Sequence, residues 1–258
     1  MSSYESLIYD LTGGIATITL NRPDEMNAMT DGMFQDMIAA LDAVAKSDAR
    51  VLVLTGAGRG FCSGASLSGG GGLVDVEASV RSGLNPMIAA MYALEIPIIT
   101  AVNGAAAGAG CSLALAGDIV IAGRSAFFLQ AFANVGLIPD GGSSWLLPRL
   151  IGRPRAMRMM MLAERIPAEL AESWGLVSFL VDDEALMAQA GAIAQKLASG
   201  PTTSYRMMRS AVIDGLDGTM AQTLETEAVN QGIASRTADF AEGALAFREK
   251  RKPVFAGK

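Results

Sequence analysis

The sequence predicts an α/β protein whose core alternates strands with helices and whose C-terminal part is helical. Short apolar runs bounded by glycine, asparagine or proline recur through the first two thirds of the chain and indicate buried strands. Segments with apolar residues at helical spacing lie between them, and only such segments follow Pro201. This order is typical of a layered core with a helical appendage, so we divide the chain into a core, 1–200, and a helical region, 201–258.

The individual elements follow from local patterns. Two strands, 4–11 and 15–20, flank the hairpin signal Gly13-Gly14, and Thr30 or Asp31 caps a helix that extends to about Ala45. The other predicted strands are 51–54, 96–102, 119–122 and 126–129; the other predicted helices are 74–94, 111–116, 142–151, 154–162, 168–174 and 184–199, with three more beyond Pro201.

A run of four glycines at 69–72 interrupts this order. Four consecutive glycines lose too much conformational entropy to be held rigid without a partner. We therefore expect a mobile connection that forms a wall or lid of a ligand pocket and becomes ordered when a ligand binds.

Composition excludes several classes of protein. A net charge of −6 disfavours a general nucleic-acid binder. The uncharged stretch 96–117 contains Pro97, Asn103 and many small residues, so we interpret it as a buried strand, turn and helix and expect no membrane insertion. With no secretory signal and only two cysteines, the chain is expected to be cytoplasmic with free thiols.

The chain contains no histidine. This excludes Ser-His-Asp and Cys-His nucleophile systems and histidine-ligated metal sites. Two cysteines are too few ligands for a metal site by themselves, so we expect no bound metal ion. Any acid–base chemistry must come from carboxylates, Lys, Tyr or backbone dipoles.

Asp140 is the only ionisable residue in the stretch 134–145, Asn-Val-Gly-Leu-Ile-Pro-Asp-Gly-Gly-Ser-Ser-Trp. Between 96 and 148 the other formal charges are Asp118 and Arg124. A carboxylate in such apolar surroundings is paired, exposed at a turn, or held at a raised pKa for use. Local sequence alone favours the N-cap of a following helix, whereas the rest of the chain favours catalysis.

Three motifs occur in order along the chain: Phe-Cys-Ser-Gly-Ala at 61–65, Asn-Gly-Ala-Ala-Ala-Gly-Ala-Gly-Cys-Ser at 103–112, and Gly-Leu-Ile-Pro-Asp-Gly-Gly at 136–142. Together with Leu-Asn-Arg-Pro at 20–23 and Phe-Arg-Glu-Lys-Arg-Lys-Pro at 247–253, they resemble the crotonase (enoyl-CoA hydratase/isomerase) family from end to end. The resemblance implies a crotonase-like spiral of strand-strand-helix units. It also implies an acyl-CoA thioester substrate that reacts through its enolate, with no cofactor beyond the CoA moiety.

By motif position, the oxyanion donors resemble the N–H groups of Ala65 and Ala109, and Asp140 resembles the acid/base of family isomerases. One backbone donor aimed at a forming oxyanion is worth roughly 3 kcal/mol. The alternative for 105–110 is plain close packing of a strand on a helix. The family pattern also implicates Met26 and Ala28 at the adenine, Ser63 and Leu67 at the pantetheine, Arg22 near the anionic ligand, Phe255 and Lys258 completing the pocket, and Phe128, Phe132 and Trp145 around Asp140.

The chain departs from the family's hydratases, which hold water between two glutamates. Those positions are Ser112 and Phe132 here, so efficient hydration is doubtful. The stretch 128–142 is especially similar to the branch that isomerises ring-epoxide CoA thioesters in the phenylacetate pathway. One carboxylate suffices for a 1,3-proton shift, which favours an acyl-CoA isomerase with an enoyl-CoA hydratase as the alternative.

Two further alternatives remain open. The family's chlorobenzoyl-CoA dehalogenases place a nucleophilic aspartate at the position of Asp140, but they also use a histidine to activate water, and this chain has none. The chain could instead be a non-catalytic acyl-CoA binder in which Asp140 only caps a helix.

The helical region is predicted to form an oligomer interface. Apolar faces recur on its three helices, at Met207, Met208 and Val212, at Leu224, Val229 and Ile233, and at Phe240, Leu245 and Phe247. A small appendage cannot bury all of these against itself. The family resemblance supplies the partner, so we expect a homotrimer or a dimer of trimers.

Overall fold

The computed structural model describes residues 4–66 and 75–258 and contains two β-sheets flanked by helices. The predictions on Leu67 and on 69–72 lie outside the described residues. The strands are β1 (Leu7–Thr12), β2 (Ile15–Leu20), β3 (Val51–Gly56), β4 (Gly60–Cys62), β5 (Ile98–Val102), β6 (Ala105–Ala107), β7 (Ile119–Gly123), β8 (Phe127–Leu129), β9 (Ile166–Pro167) and β10 (Phe179–Val181).

The helices are α1 (Asp31–Ala45), α2 (Val76–Ser79), α3 (Asn85–Ala93), α4 (Ala109–Leu115), α5 (Ser143–Leu162), α6 (Ala168–Trp174), α7 (Leu186–Ala198), α8 (Thr202–Gly215), α9 (Met220–Ala234) and α10 (Ala238–Glu249). A π-helical turn, Val80–Leu84, joins α2 to α3, and short 3₁₀ helices occur at Pro23–Glu25, Ala131–Val135 and Asp183–Ala185. None of the helices in the described part of the chain is both long and apolar enough to cross a membrane.

The larger sheet has the order β1-β2-β3-β5-β7-β10, and all of its pairs are parallel except the β1–β2 hairpin. The smaller sheet has the order β4-β6-β8-β9, with β9 antiparallel to β8. Each of β3, β5 and β7 is followed directly by a strand of the smaller sheet and then by a helix. The strand-strand-helix repeat implied by the sequence resemblance is therefore present.

The central strands are buried on both faces, which explains their unbroken apolar sequences. Every residue of β3 is buried. Val51 and Val53 belong to a cluster with the alanine face of α7, whereas Leu52 and Leu54 belong to the larger core that includes α1. A half-exposed strand would have alternated apolar and polar residues instead.

Several local predictions are confirmed. Thr30 caps α1, its hydroxyl accepting from the Met33 N–H. The two predicted helices around 142–162 form one element with a break at Gly152, whose φ of 74° is outside the helical region. The short strands β4, β6, β9 and β10 were not predicted, and α4 begins at Ala109 rather than at Cys111.

The C-terminal helices expose most of their apolar side chains. No residue of α8 or α9 is buried, and Phe247 on α10 is 86% exposed. Met208, Val212, Leu224, Val229, Phe240 and Leu245 are exposed as well. The boundary at residue 200 stays a prediction; α8 begins at Thr202.

This exposure is the basis of the assembly prediction. Apolar patches of this extent are covered in stable soluble proteins, so sedimentation of the intact protein should show a trimer or hexamer at micromolar concentration. Val212→Glu, which places a charge on the α8 face, should weaken that assembly. A well-behaved monomer with wild-type sequence would contradict the prediction.

Candidate active site

The segments that follow β4 and β6 lie side by side, because these two strands pair in parallel. A Cβ atom added at Gly64 would lie 2.8 Å from the Ala107 carbonyl oxygen and 3.4 Å from the Ala109 nitrogen. Gly64 also has a φ of +99°, which L side chains rarely adopt. A glycine is therefore required where the Ala65 segment meets the start of α4.

The N–H of Ala65 is left free by the local pairing. Ala65 forms a parallel bridge with Met29, in which the Met29 N–H donates to the Gly64 carbonyl and the Ser66 N–H donates to the Met29 carbonyl. In a parallel bridge the central residue's own groups point to the other side. The N–H of Ala65 has no acceptor among residues 4–66 and 75–258.

The N–H of Ala109 also has no acceptor in the described part of the chain, for a different reason. Ala109 is the first residue of α4, and the first N–H groups of a helix have no acceptor within it. The preceding residue, Gly108, is the N-cap of α4 and has φ 52° and ψ −128°. Glycine adopts this conformation much more readily than residues with a Cβ atom. The two predicted oxyanion donors thus lie close together, and Ala109 also brings the positive end of the α4 dipole.

Asp140 lies in the connection between the 3₁₀ helix and α5. Its side chain is only partly exposed, and its Oδ1 atom is buried without a hydrogen-bond partner in the described part of the molecule. Burial raises the pKa of Asp140 to about 6, against a smaller opposing effect from its own backbone N–H. A carboxyl group with this pKa exchanges a proton readily near neutral pH.

Asp140 does not cap α5. The N-cap residue is Gly142, and no side-chain hydrogen bond caps this helix. Only the backbone carbonyl of Asp140 accepts from the helix, from the Ser143 N–H at 3.1 Å. The interpretation of Asp140 as an ordinary helix cap is therefore wrong.

One cavity of about 160 Å³ contains all three predicted reacting groups, Ala65, Ala109 and Asp140. Its remaining described lining is Phe34, Ser63, Gly64, Ser66, Val76, Ser79, Val80, Leu84, Gly108, Ala131, Phe132, Val135 and Leu137. Asp140 is the one ionisable side chain in that described lining. The cavity therefore combines mostly apolar walls with a single proton carrier and with the two residues predicted to supply the oxyanion donors.

The two positions at which family hydratases carry glutamate are occupied differently here. Ser112 is 2% exposed and is hydrogen-bonded inside the protein. Phe132 is 7% exposed and lines the cavity with its ring. Neither residue supplies a proton carrier to the cavity.

Four of the residues predicted to hold CoA, Arg22, Met26, Ala28 and Ser63, lie next to one another. The Ser63 N–H donates to the Met26 carbonyl at 3.0 Å, and Ala28 is in the same turn. Ser63 also lines the cavity, so this surface is continuous with the reacting groups. Arg22 is only partly available to bind an anionic ligand, because its guanidinium already pairs with Glu25 at 2.6 Å.

Asn27 holds this surface together, and sequence reasoning did not identify its role. Its Oδ1 accepts from the Arg22 N–H, and its Nδ2 donates to the carbonyls of Ala57 and Gly60. Its own carbonyl accepts from the Cys62 thiol. Asn27 is fully buried with a φ of 56°, which asparagine tolerates better than most residues, and this was not visible in the sequence.

Of the three aromatic residues predicted around Asp140, Phe132 lines its cavity, Trp145 lines a second cavity that Asp140 also lines, and Phe128 lies in the core. Phe128 is fully buried in the core and is absent from the described cavity lining, so its assignment as a substrate contact is wrong. Trp145 lines a neighbouring cavity of about 610 Å³ that also reaches Asp140. There its indole N–H donates to Asp217 and Arg149 stacks on its ring.

The C-terminal residues do not reach the cavity within one chain. The Lys258 carbonyl accepts from the Asp239 N–H, and Phe255 lies against Gly243 of α10. Gly257 lines a cavity with Ala49 and Ile96, which lie just before the N-terminal ends of β3 and β5. The reacting groups instead follow the C-terminal ends of β4 and β6. Phe255 and Lys258 therefore do not complete the cavity of their own chain, contrary to the prediction from the sequence.

Comparisons with known proteins agree with this geometry. A family model described as enoyl-CoA hydratase/isomerase matches residues 10–258. The chain is 44% identical over 257 residues to a probable enoyl-CoA hydratase of Rhodobacter capsulatus, covering 99% of this chain and 100% of that protein. It is 43% identical over 260 residues to 1,2-epoxyphenylacetyl-CoA isomerase of Escherichia coli, covering 98% and 99%. It superimposes on the crystal structure of an enoyl-CoA hydratase from Bacillus anthracis with a TM-score of 0.94 and 32% identity, covering 98% and 100%.

Proposed function

Because the chain belongs to the enoyl-CoA hydratase/isomerase (crotonase) family of enzymes, we propose that it is an acyl-CoA isomerase with Asp140 as its single acid/base. The observation that carries the proposal is the composition of the cavity, in which Asp140 is the one ionisable side chain of the described lining and shares that lining with Ala65 and Ala109. The substrate is an acyl-CoA thioester, and no cofactor beyond its CoA moiety is proposed.

The proposed reaction is a 1,3-proton shift. The ionised Asp140 removes a proton from C2 of a 3-enoyl thioester, and the electron pair moves onto the thioester oxygen as a dienolate. The N–H groups of Ala65 and Ala109 stabilise that negative charge. Protonated Asp140 then returns the proton to C4, so that the double bond lies between C2 and C3 and the enzyme ends in its starting state.

The Escherichia coli relative, named for a ring-epoxide thioester, extends the substrate range that we propose. A ring-epoxide CoA thioester presents the same thioester oxygen to the two amides. The apolar walls of the cavity, including Phe34 and Phe132, suit a cyclic acyl group. We therefore propose both unsaturated and ring-epoxide thioesters as candidates.

Hydration is the second candidate, favoured by the name of the Rhodobacter capsulatus relative. Hydration needs an oriented water with both a base and an acid. Ser112 is buried and occupied by internal hydrogen bonds, and Phe132 fills the other position with a ring. These residues favour isomerisation over hydration. The dehalogenase or hydrolase alternative is disfavoured because the chain has no histidine to activate water. The alternative of a non-catalytic acyl-CoA binder is disfavoured because it assigned Asp140 the role of a helix cap, and Asp140 does not cap α5.

An activity panel tests the proposal. We expect conversion of 3-enoyl-CoA to 2-enoyl-CoA, or turnover of a 2,5-dienoyl or ring-epoxide thioester, with hydration of 2-enoyl-CoA at least about 100-fold slower. On the best substrate, kcat/KM should rise about tenfold per pH unit up to about pH 6 and then level, because the base must be ionised and burial raises the pKa of Asp140 to about 6. Hydration as the fastest reaction, or a flat profile between pH 5 and 8, would contradict the proposal.

A further inference from the structure

A line of buried polar side chains ends on the backbone of Asp140. We propose that Ser112 is a positioning residue that holds Asp140 at a fixed place relative to the Ala109 amide, and that Ser143 and Gln130 orient the Ser112 hydroxyl. This inference rests on the proposed role of Asp140 and adds residues that never touch the substrate.

The contacts are short and shielded from water. The Ser112 hydroxyl oxygen lies 2.9 Å from the Asp140 carbonyl oxygen and 2.8 Å from the Ser143 hydroxyl oxygen. The Gln130 side-chain nitrogen lies 3.1 Å from the Ser143 hydroxyl oxygen. Ser112, Ser143 and Gln130 are 2%, 1% and 0% exposed.

The direction of every hydrogen bond in this line is fixed by its two ends. A backbone carbonyl can only accept, and an amide NH₂ can only donate. Each serine hydroxyl has one proton, so Gln130 donates to Ser143 and Ser143 donates to Ser112. Ser112 then donates to the Asp140 carbonyl oxygen at 2.9 Å, which is closer than the Gly108 carbonyl oxygen at 3.5 Å. Aligned hydrogen bonds of this kind polarise one another in a buried setting, which favours one geometry.

Ser112 connects the two halves of the site. It is three residues after Ala109 on α4, whose first residue supplies an oxyanion donor. The chain at Gly141 runs directly against it, since a Cβ there would lie 2.8 Å from the Ser112 Cβ. The Asp140 Oδ1 has no partner among the described residues, so the position of Asp140 depends on its backbone, to which the Ser112 hydroxyl and the Ser143 N–H both donate.

Ser112→Ala tests the inference. Because the carboxylate would no longer be held over the cavity, kcat should fall about 10-fold or more while KM for the thioester stays within about twofold. The acid limb of the pH profile should move to lower pH, because a carboxylate that reaches water loses the burial that raises its pKa. A purely structural role would lower the melting temperature without moving the limb.

Two further variants sharpen the test. Ser143→Ala leaves Ser112 able to donate, so its loss should be smaller, and the double variant should be no worse than Ser112→Ala alone. Ser144→Ala is the matched control, because Ser144 is exposed and its hydroxyl lies 3.5 Å from the Pro139 carbonyl; it should match wild type.

The outcomes separate this inference from the proposed function. If Asp140→Asn is inactive but Ser112→Ala keeps the wild-type kcat and acid limb, the positioning role is wrong and the proposed function stands. If Asp140→Asn stays active, the proposed function fails and the positioning role fails with it.

Discussion

Asp140→Asn should lose isomerase activity by about 100-fold or more, the usual scale for losing a general base, while still folding and binding CoA. The amide is nearly isosteric with the carboxyl group but cannot exchange a proton. The free N–H groups of Ala65 and Ala109 are untouched, so binding of a saturated acyl-CoA should change by less than about threefold. Steady-state kinetics on the best panel substrate and calorimetry with the saturated analogue measure the two effects.

Stability provides a second readout that distinguishes catalysis from capping. Burial raises the pKa of Asp140 to about 6, above its value in the unfolded chain. The folded state therefore binds this proton more tightly, and the contribution of Asp140 to stability falls as pH rises through the window from about 4 to 6. Asparagine removes that penalty, so the variant should be more stable than wild type at pH 8, with the gap closing toward pH 4. A helix cap would have predicted the opposite sign.

Glu77→Gln is the matched control for this experiment. Glu77 lines the neighbouring cavity beside Asp140, but it is exposed and paired with Arg81 at 2.8 Å. Removing its charge should change kcat/KM by less than about twofold, because exposed ion pairs contribute little. If Asp140→Asn kept near-wild-type rates on a competent substrate, Asp140 would not be the acid/base.

The sequence was sufficient for the family and the α/β class, and the three residues it predicts as reacting groups line one cavity. Uncharged apolar runs such as 96–102 predict buried strands because both faces of β5 are covered. The isolation of Asp140 in an apolar stretch left three options, and the structure selects the raised pKa because burial desolvates the carboxylate. The comparisons confirm the family.

Other features depend on tertiary contacts that the sequence does not record. The strands β4 and β6 consist of Gly, Phe, Cys and Ala, and pairing rather than propensity makes them strands. Phe128 is near Asp140 in sequence, but its side chain points into the core from β8, whereas Phe132 lies on the following 3₁₀ helix and reaches the cavity. The polar line behind Asp140 joins residues up to 31 positions apart, so no local pattern could predict it.

A buried cation of α8, Arg209, links the helical region to the core. Its guanidinium donates to both carboxylate oxygens of Asp118 and to the carbonyls of Met91, Tyr92 and Leu94. Asp118 in turn accepts from the Ile98 N–H at the start of β5. Only 8% of the Arg209 side chain is exposed, and this contact joins α8, the end of α3 and the larger sheet.

Arg209→Met should destabilise the protein by about 3–5 kcal/mol, because it removes the charge partner of Asp118 and the donor to three carbonyl oxygens. That is a large part of the roughly 5–15 kcal/mol that stabilises a typical domain. Arg206→Met, three residues away on the same helix, is the matched control. Arg206 pairs with Glu95, whose side chain is 71% exposed, so its loss should cost less than about 1 kcal/mol.

The pH dependence of the Arg209 variant separates a lost charge partner from lost packing. Burial already raises the pKa of Asp118 despite the attraction of Arg209, and removing the cation raises that pKa further. A raised carboxyl pKa means that the folded state loses stability as pH rises, so the variant should be weaker at pH 8 than at pH 5. Urea unfolding at one fixed protein concentration measures both values, since assembly would otherwise shift the midpoint. Equal losses for Arg206→Met and Arg209→Met, or a loss independent of pH, would show that this ion pair does not hold the helical region to the core.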